Sequence, residues 1–177
     1  HPGERELRRA IETKSLDVHY QPIVSSDGNR LLGAEALLRW THPRLGNISL
    51  ARFLPIARRS DLIVLLGEWV LREAGRGRAI IRESLRKGEW RTSVNLSLEE
   101  LSRPRAAERL LPLMTKLNAL DIEVNADSLL DHSEETLGVL ESLRAKGSRL
   151  IVDDFGDGAS SLTALTRFPL SGLKLHP

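Results

Sequence analysis

The chain has 177 residues, a formal net charge of +2 and no cysteine. Apolar residues make up 41% and charged residues 28%, the usual balance of a globular domain with its own core. The lack of cysteine excludes disulfides, thiolate metal sites and thiol chemistry within this sequence. No stretch approaches the roughly 20 consecutive apolar residues of a membrane-spanning helix. We expect a cytoplasmic domain, which a longer protein could still anchor to a membrane.

Strand-like and helical segments alternate through most of the chain. Residues 18–24 and 31–40 are strand-like and flank the polar turn 25–29, which predicts an antiparallel hairpin. Apolar residues at helical spacing predict helices over residues 51–60, 62–87, 105–117 and 134–145. Ser97, with Glu100 three residues later, is a capping-box pattern that opens another short helix. Further strands are predicted at residues 92–96, 122–124, 149–154 and 173–175.

The order of these elements predicts the fold class. After the hairpin, strand and helix alternate, which is typical of an α/β fold with a mainly parallel sheet. The strand around residues 150–152 is apolar on both faces, as expected for a strand covered by helices. The sequence contains no internal repeat, low-complexity tract or linker. We therefore predict one domain over residues 1–177.

Polar side chains recur where the later strands end. They are Asn95, Glu123, the pair Asp153 and Asp154, and Lys174, while Glu35 lies inside an apolar run of the hairpin. Taken singly, each has an ordinary explanation as a turn-former, a helix cap or an exposed edge residue. Because the carboxyl ends of barrel strands converge on one face, the repeated pattern instead indicates one shared site. All-oxygen ligands of this kind suit Mg²⁺ or Mn²⁺.

Several motifs in register resemble the EAL domain family. The matching segments, in chain order, are Gln21-Pro22-Ile23-Val24, Gly33-Ala34-Glu35-Ala36-Leu37-Leu38-Arg39-Trp40, His42-Pro43, Phe53-Leu54-Pro55, Leu66-Gly67-Glu68-Trp69-Val70-Leu71, Ser93-Val94-Asn95-Leu96-Ser97, Asp153-Asp154-Phe155-Gly156 and Ser160-Ser161-Leu162. The resemblance runs from about Val18 to Lys174. It implies a TIM-like (β/α) barrel with an antiparallel first strand, here incomplete, with about six of eight strands.

The resemblance also implies a chemistry. Members of the family bind cyclic di-GMP and, with two Mg²⁺ or Mn²⁺ ions, hydrolyse it to linear pGpG. By position, the ligands of the first metal are Glu35, Asn95, Glu123 and Asp153, and those that reach the second are Asp153 and Asp154. Lys174 corresponds to the lysine that orients the attacking water. Gln21, Leu37 and Arg39 correspond to positions that contact the dinucleotide.

Some departures from the family pattern lie close to this chemistry. Asn125 and Ala126 stand where the family has threonine and a second glutamate, and Asp157-Gly158-Ala159 stands where it has threonine, glycine and tyrosine. His176 replaces an aspartate. The chain stops before the last two barrel strands, so we expect a piece of a longer protein that is inactive alone.

Three functional readings follow. The first is a cyclic di-GMP phosphodiesterase, and the second is a degenerate domain that acts as a cyclic di-GMP receptor or regulatory module. The third is a protein-interaction scaffold, which would have no physical need for the set of site residues named above. The resemblance implies an adjoining sensory or diguanylate-cyclase-like domain and a homodimer.

The histidines share no metal-ligand spacing and are interpreted as structural. Arginines 72, 76, 78, 82 and 86 are interpreted as a solvated helix face, without the interleaved aromatics of a nucleic-acid surface.

Overall fold

The computed structural model of the protein describes residues 3–13, 15–85, 90–103, 105–117, 120–130, 134–156 and 165–175. The chain divides into two compact units, the N-terminal unit His1–Trp90 and the C-terminal unit Arg91–Pro177. The expectation that residues 1–177 form a single domain stays a prediction. No helix in these described ranges is long and apolar enough to cross a membrane.

The N-terminal unit is an antiparallel hairpin with three helices. Its elements are α1 (Glu4–Glu12), β1 (Leu16–Val24), β2 (Leu31–His42), β3 (Gly46–Ile48), α2 (Leu50–Arg58) and α3 (Leu62–Leu85). β1 pairs antiparallel with β2, which confirms the predicted hairpin, and β3 pairs antiparallel with the end of β2. The sequence patterns missed α1 and β3.

Strict alternation along β2 separates a core face from a polar face. Ala34, Ala36, Leu38 and Trp40 are buried, whereas the residues between them are half-buried or exposed. The Trp40 ring packs edge-on against Phe53 of α2, with the ring centroids 5.4 Å apart. This buried row anchors β2, so its other face is free to carry polar chemistry.

Helix α3 lies close against β1 at one glycine. The Tyr20 hydroxyl donates a hydrogen bond to the carbonyl oxygen of Glu73, at 3.2 Å. A Cβ atom at Gly77, one turn further along α3, would overlap the Tyr20 ring and hydroxyl. Burial raises the pKa of the Tyr20 hydroxyl, and the nearby carboxylates of Glu73 and Asp17 add to the effect. Gly77 is therefore required by the packing of the helix.

His42 ties the end of β2 to α1. Its Nδ1 accepts hydrogen bonds from the backbone N–H groups of Arg44 and Leu45, at 3.1 and 3.2 Å. Its Nε2 lies 3.4 Å from Oε1 of Glu6, which also contacts the Arg44 guanidinium. With 6% of its surface exposed, His42 is structural, as the sequence predicted.

The C-terminal unit alternates strands with helices. Its elements are β4 (Arg91–Asn95), α4 (Leu98–Leu101), α5 (Ala106–Lys116), β5 (Asp121–Asn125), a 3₁₀ helix (Ala126–Leu130), α6 (Glu134–Ala145), β6 (Leu150–Phe155) and β7 (Gly172–Leu175). The four strands lie in the order β4-β5-β6-β7, and each neighbouring pair is parallel. The predicted parallel α/β arrangement is confirmed in this unit.

The Ser97 capping box is confirmed at the start of α4. The Ser97 hydroxyl oxygen accepts a hydrogen bond from the Glu100 N–H at 3.1 Å, and the Glu100 carboxylate receives the Ser97 N–H. Gly147, at φ 93°, follows α6 in the left-handed conformation expected of a glycine beyond a helix end. These two local signals were therefore interpreted correctly.

The predicted arginine face of α3 is only partly correct. Arg72, Arg76 and Arg82 are exposed, and Arg76 forms an ion pair with Glu73 at 2.6 Å. Arg78 is half-buried, because it lies off the exposed stripe of the helix. Arg86 lies outside the described residues.

A buried aspartate binds two arginines where three parallel strands begin. Asp121, 2% exposed at the start of β5, accepts hydrogen bonds from Arg91 of β4 and from Arg149 before β6, with an Arg149 Nη2 to Asp121 Oδ2 distance of 2.6 Å. Burial acts to raise the pKa of Asp121, but the hydrogen bonds from the two guanidinium groups outweigh it and lower the pKa below its ordinary value. This group, which we call the Asp121 clasp, fixes the starts of β4, β5 and β6 against one another.

Candidate functional site

The polar face of the hairpin carries all four predicted site residues of the N-terminal unit. Gln21 of β1 is the direct cross-strand partner of Glu35, and the next pairs along the hairpin are His19 with Leu37 and Asp17 with Arg39. Opposed residues in an antiparallel pair point to the same face. Gln21, Glu35, Leu37 and Arg39 therefore share one face, opposite the buried row of β2.

Exposure differs among the four residues of this face. Glu35 and Leu37 are half-buried, whereas Gln21 and Arg39 are exposed. The Arg39 guanidinium donates to the carbonyl oxygen of Leu38 at 2.9 Å, which uses one of its five donors and leaves the rest of the fork for an anion. The face thus offers a carboxylate, an amide and a guanidinium beside an apolar side chain.

The C-terminal unit brings three predicted metal ligands to one face of its sheet. Asn95, the last residue of β4, is the register partner of Glu123 in β5. Glu123 pairs with Ile151, and Asp153 lies two residues further along β6, so alternation places Asp153 on the face of Glu123. An amide and two carboxylates therefore follow one another across adjacent parallel strands.

Lys174 reaches the centre of this face. Its Nζ donates to Oε2 of Glu123 at 2.6 Å, although the two residues are 51 positions apart in the chain. The Glu123 side chain has 0% of its surface exposed and that of Lys174 has 30%. A buried carboxylate is expensive without a cation, and the ammonium supplies one.

The paired aspartates lie in a β-bulge. Val152 pairs with Leu173 and Phe155 with Leu175, so β6 has one residue more than β7 between these two pairs. Asp154 has a left-handed φ of 55°, and its N–H donates to Oδ1 of Asp153 at 3.0 Å. Bulges re-aim side chains next to active sites. Alternation alone therefore no longer decides which face Asp154 serves.

The donor types fit a hard divalent cation. Asn95, Glu123 and Asp153 offer only oxygen, on one face and beside a lysine. Within the described part of the chain, no group of three or more histidine, aspartate or glutamate side chains is close enough to hold one ion. The joint gathering of Glu35 with Asn95, Glu123 and Asp153 stays a prediction, as do the individual ligand roles.

Ala126 is the one departure from the family pattern that is buried in the described part of the chain. Asp157, Gly158, Ala159, His132 and His176 lie outside the described residues. Ala126, where the family pattern has a glutamate, is 1% exposed at the start of the 3₁₀ helix.

Sequence reasoning missed the Asp121 clasp. Its only signal is an arginine or aspartate at, or directly before, the start of three consecutive predicted strands, at Arg91, Asp121 and Arg149. That pattern mirrors the polar residues at the other strand ends, but it concerns the opposite end of the same strands. Conversely, His19 was assigned a structural role, whereas its side chain is 64% exposed.

Comparison with known proteins identifies the family. The family description "EAL domain" matches residues 4–177. The bifunctional diguanylate cyclase/cyclic di-GMP phosphodiesterase MucR of Pseudomonas aeruginosa is 38% identical over 174 residues, which are 96% of this chain and 25% of that protein. The cyclic di-GMP phosphodiesterase PdeR of Escherichia coli is 35% identical, over 97% of this chain and 26% of its own. The chain thus spans about a quarter of the length of each of these two relatives.

Solved structures agree with this assignment. The PaMucR phosphodiesterase in complex with c-di-GMP superposes with a TM-score of 0.82 at 38% identity, covering 97% of this chain and 70% of that one. The EAL enzyme Bd1971 in its cAMP- and cyclic-di-GMP-bound form gives 0.85 at 28% identity, covering 98% and 49%. The predicted fold class, α/β of the TIM-like barrel kind with an antiparallel first strand, is confirmed; seven strands are described instead of about six, because β3 was missed. These matches over nearly the whole sequence show that the chain belongs to the EAL domain family.

Proposed function

We propose that this domain hydrolyses cyclic di-GMP to linear pGpG in a reaction that depends on Mg²⁺ or Mn²⁺. The observation that carries the proposal is the row of oxygen donors Asn95, Glu123 and Asp153 on one sheet face, with the Lys174 ammonium 2.6 Å from Glu123. Relatives named as cyclic di-GMP phosphodiesterases match over nearly the whole chain, which supports the same substrate here.

The residues that would hold the cations are divided between two ions. Glu35, Asn95, Glu123 and Asp153 would bind the first, and Asp153 with Asp154 would reach the second. When bound, a pair of cations lowers the pKa of a water and stabilises the attacking and leaving oxygens of a phosphodiester. The bulge at Asp154 suits this division, since it frees one of two adjacent carboxylates from the strand alternation.

The hairpin face would hold the dinucleotide. Arg39 carries a planar fork of donors that matches a phosphate, and it is exposed at the outer end of the face. Gln21, opposite Glu35, offers an amide donor and acceptor for a base edge or a sugar hydroxyl. Leu37, between them, supplies apolar contact.

Lys174 would position the water. Its ammonium is directed at the sheet face by the contact with Glu123, and an ammonium group carries three donors in all. A water held by the lysine is oriented before it reacts, which lowers the entropic cost of its attack on the phosphodiester. Lys174 therefore acts on the nucleophile, while Arg39 and Gln21 act on the substrate.

A second candidate is a cyclic di-GMP receptor with little or no turnover. The observation in its favour is Ala126, a buried methyl group where the family pattern has a glutamate. Such a receptor would bind the nucleotide through the hairpin face and lack support for the second ion. We also propose an adjoining sensory or diguanylate-cyclase-like domain in the longer chain, consistent with the bifunctional relative, and self-association into a homodimer.

Chromatographic assay of pGpG formed by the full-length protein separates the two candidates. With saturating Mn²⁺ or Mg²⁺, the enzyme forms pGpG and the Glu35→Ala variant does not. If calorimetry shows cyclic di-GMP binding while pGpG stays at the Glu35→Ala background, the receptor replaces the enzyme. If neither binding nor turnover is seen, both proposals fail. Sedimentation velocity of the same sample tests the homodimer.

A further inference from the structure

The polar face of the hairpin contains a residue without an assigned function. The face is built from three successive cross-strand pairs, Gln21 with Glu35, His19 with Leu37, and Asp17 with Arg39. From the β2 side of these pairs, the proposed function uses Glu35, Leu37 and Arg39. His19 is the direct partner of that central residue, Leu37.

The surroundings of His19 do not explain its presence as a packing residue. Its side chain is 64% exposed, and its Nε2 lies 3.9 Å from Oδ2 of Asp17, itself 76% exposed. Asp17 keeps its other oxygen on the backbone N–H of Val18, at 2.8 Å. The Asp17 carboxylate therefore lies near one edge of the imidazole, and the flat face of the ring is left to solvent or a ligand.

A ligand that contacts both Glu35 and Arg39 has to cross this pair. The two residues are four positions apart on β2, roughly 13 Å along an extended strand. Directly opposed side chains in an antiparallel pair have Cβ atoms about 5 Å apart. The apolar surface of Leu37 and the imidazole ring of His19 therefore lie side by side beneath the middle of that span. Together they form a surface of the size and character that a purine face requires.

We infer that His19, with Leu37, forms a stacking platform for one guanine base of cyclic di-GMP. The inference rests on the proposed binding of that nucleotide. Stacking on an aromatic side chain needs no hydrogen bond from the ring, so the platform is satisfied by aromatic character alone. His19 is therefore a binding residue that sets affinity for a purine dinucleotide and has no role in moving protons.

Three variants of the full-length protein test the platform by titration with cyclic di-GMP. His19→Ala is expected to raise Kd and KM about tenfold, because a stacked base is lost, while kcat stays unchanged. His19→Phe, which keeps a ring and removes both nitrogens, is expected to retain near wild-type affinity. His19→Asn, which keeps polarity and removes the ring, is expected to behave like His19→Ala. Arg30→Ala, at the exposed turn of the same hairpin, is the control and should change nothing.

The outcomes separate this inference from the proposed function. If the wild type binds cyclic di-GMP and His19→Ala binds it with the same Kd, the platform is ruled out and the proposed function is left intact. A loss in His19→Phe as large as in His19→Ala would show a hydrogen-bonding role and overturn stacking. Absence of cyclic di-GMP binding by the wild type would remove both. Unfolding midpoints equal to wild type confirm that each variant is folded.

Discussion

The ammonium of Lys174 lies 2.6 Å from the Oε2 of Glu123, and this carboxylate has no exposed side-chain surface. The contact joins β7 to β5 across β6, so it links the last described strand to the centre of the sheet face. Replacing Lys174 by methionine keeps the aliphatic length and removes the charge. In EDTA we expect the free energy of unfolding to fall by about 3 kcal/mol, since a buried carboxylate loses its ion pair with the ammonium. Urea unfolding measures this loss.

The same variant tests whether Lys174 positions the attacking water or instead organises the ligands of the metal ion. Lys174→Met is expected to keep its Mn²⁺ affinity, because the ammonium is not a ligand, and to lose turnover by at least about 100-fold. Loss of Mn²⁺ binding in calorimetry would show instead that the lysine organises the Glu123 carboxylate for the ion.

Arg39 is predicted to act on the phosphate. Arg39→Ala should raise the Kd for cyclic di-GMP by roughly 10- to 100-fold, the value of a charge-assisted hydrogen bond of about 1.5–3 kcal/mol. Arg39→Lys should recover only part of this, because lysine has no planar fork. Arg30→Ala removes the same charge from the turn of the same hairpin and should leave Kd unchanged, which separates a specific contact from general electrostatics.

The Asp121 clasp is predicted to stabilise the start of three strands without taking part in binding. Asp121→Asn should lower the free energy of unfolding at pH 7 by about 3 kcal/mol, because Arg91 and Arg149 lose their shared anion. The pKa of Asp121 is lowered in the folded state. Its contribution is therefore complete above the unfolded pKa of about 3.9 and is lost as the pH falls through the lower, folded pKa.

Urea unfolding at a series of pH values checks this sign. The difference between wild type and Asp121→Asn should be constant from pH 7 to about pH 5 and shrink below about pH 4. A difference that grows on acidification would contradict the clasp.

Gly77 is predicted to be a packing glycine. Gly77→Ala places a methyl group against the Tyr20 ring and should cost about 1–2 kcal/mol, since overpacking exceeds the gain in helix propensity. Gly138→Ala is the matched control, because a Cβ there meets nothing within 4 Å in an exposed part of α6. It should stabilise the protein by up to about 1 kcal/mol. In a Tyr20→Ala background, Gly77→Ala should also become stabilising; thermal unfolding of the four variants tests this coupling.

The sequence predicted the C-terminal unit well because short apolar runs, helical spacing and polar residues at strand ends are local signals. The parallel register of β4, β5 and β6 then places Asn95, Glu123 and Asp153 on one face. The Lys174–Glu123 contact could not be predicted, because it depends on the register of three strands and on a bulge in β6. Likewise, α1 was missed since it buries only Leu7 and Ala10, and its other residues are mostly charged.

The hairpin shows the same division between local and non-local information. The polar turn at residues 25–29 and the two strand-like runs that flank it predicted two antiparallel strands, and both are observed. The position of His19 opposite Leu37 could not be predicted, because the sequence alone does not fix the register of β1 against β2. A shift of one residue would place His19 on the other face. Non-local register, more than residue type, therefore limits what the sequence reveals about this site.

Binding of Mn²⁺, measured together with turnover, tests the claim that strand-end oxygen donors hold the ion that hydrolysis needs. Glu123→Gln keeps the shape of the side chain and removes its charge, and Glu100→Gln makes the same change at a buried capping glutamate of the same unit. Glu123→Gln should lose both Mn²⁺ binding and pGpG formation, whereas Glu100→Gln should keep both. Wild-type Mn²⁺ affinity and turnover in Glu123→Gln would contradict the account.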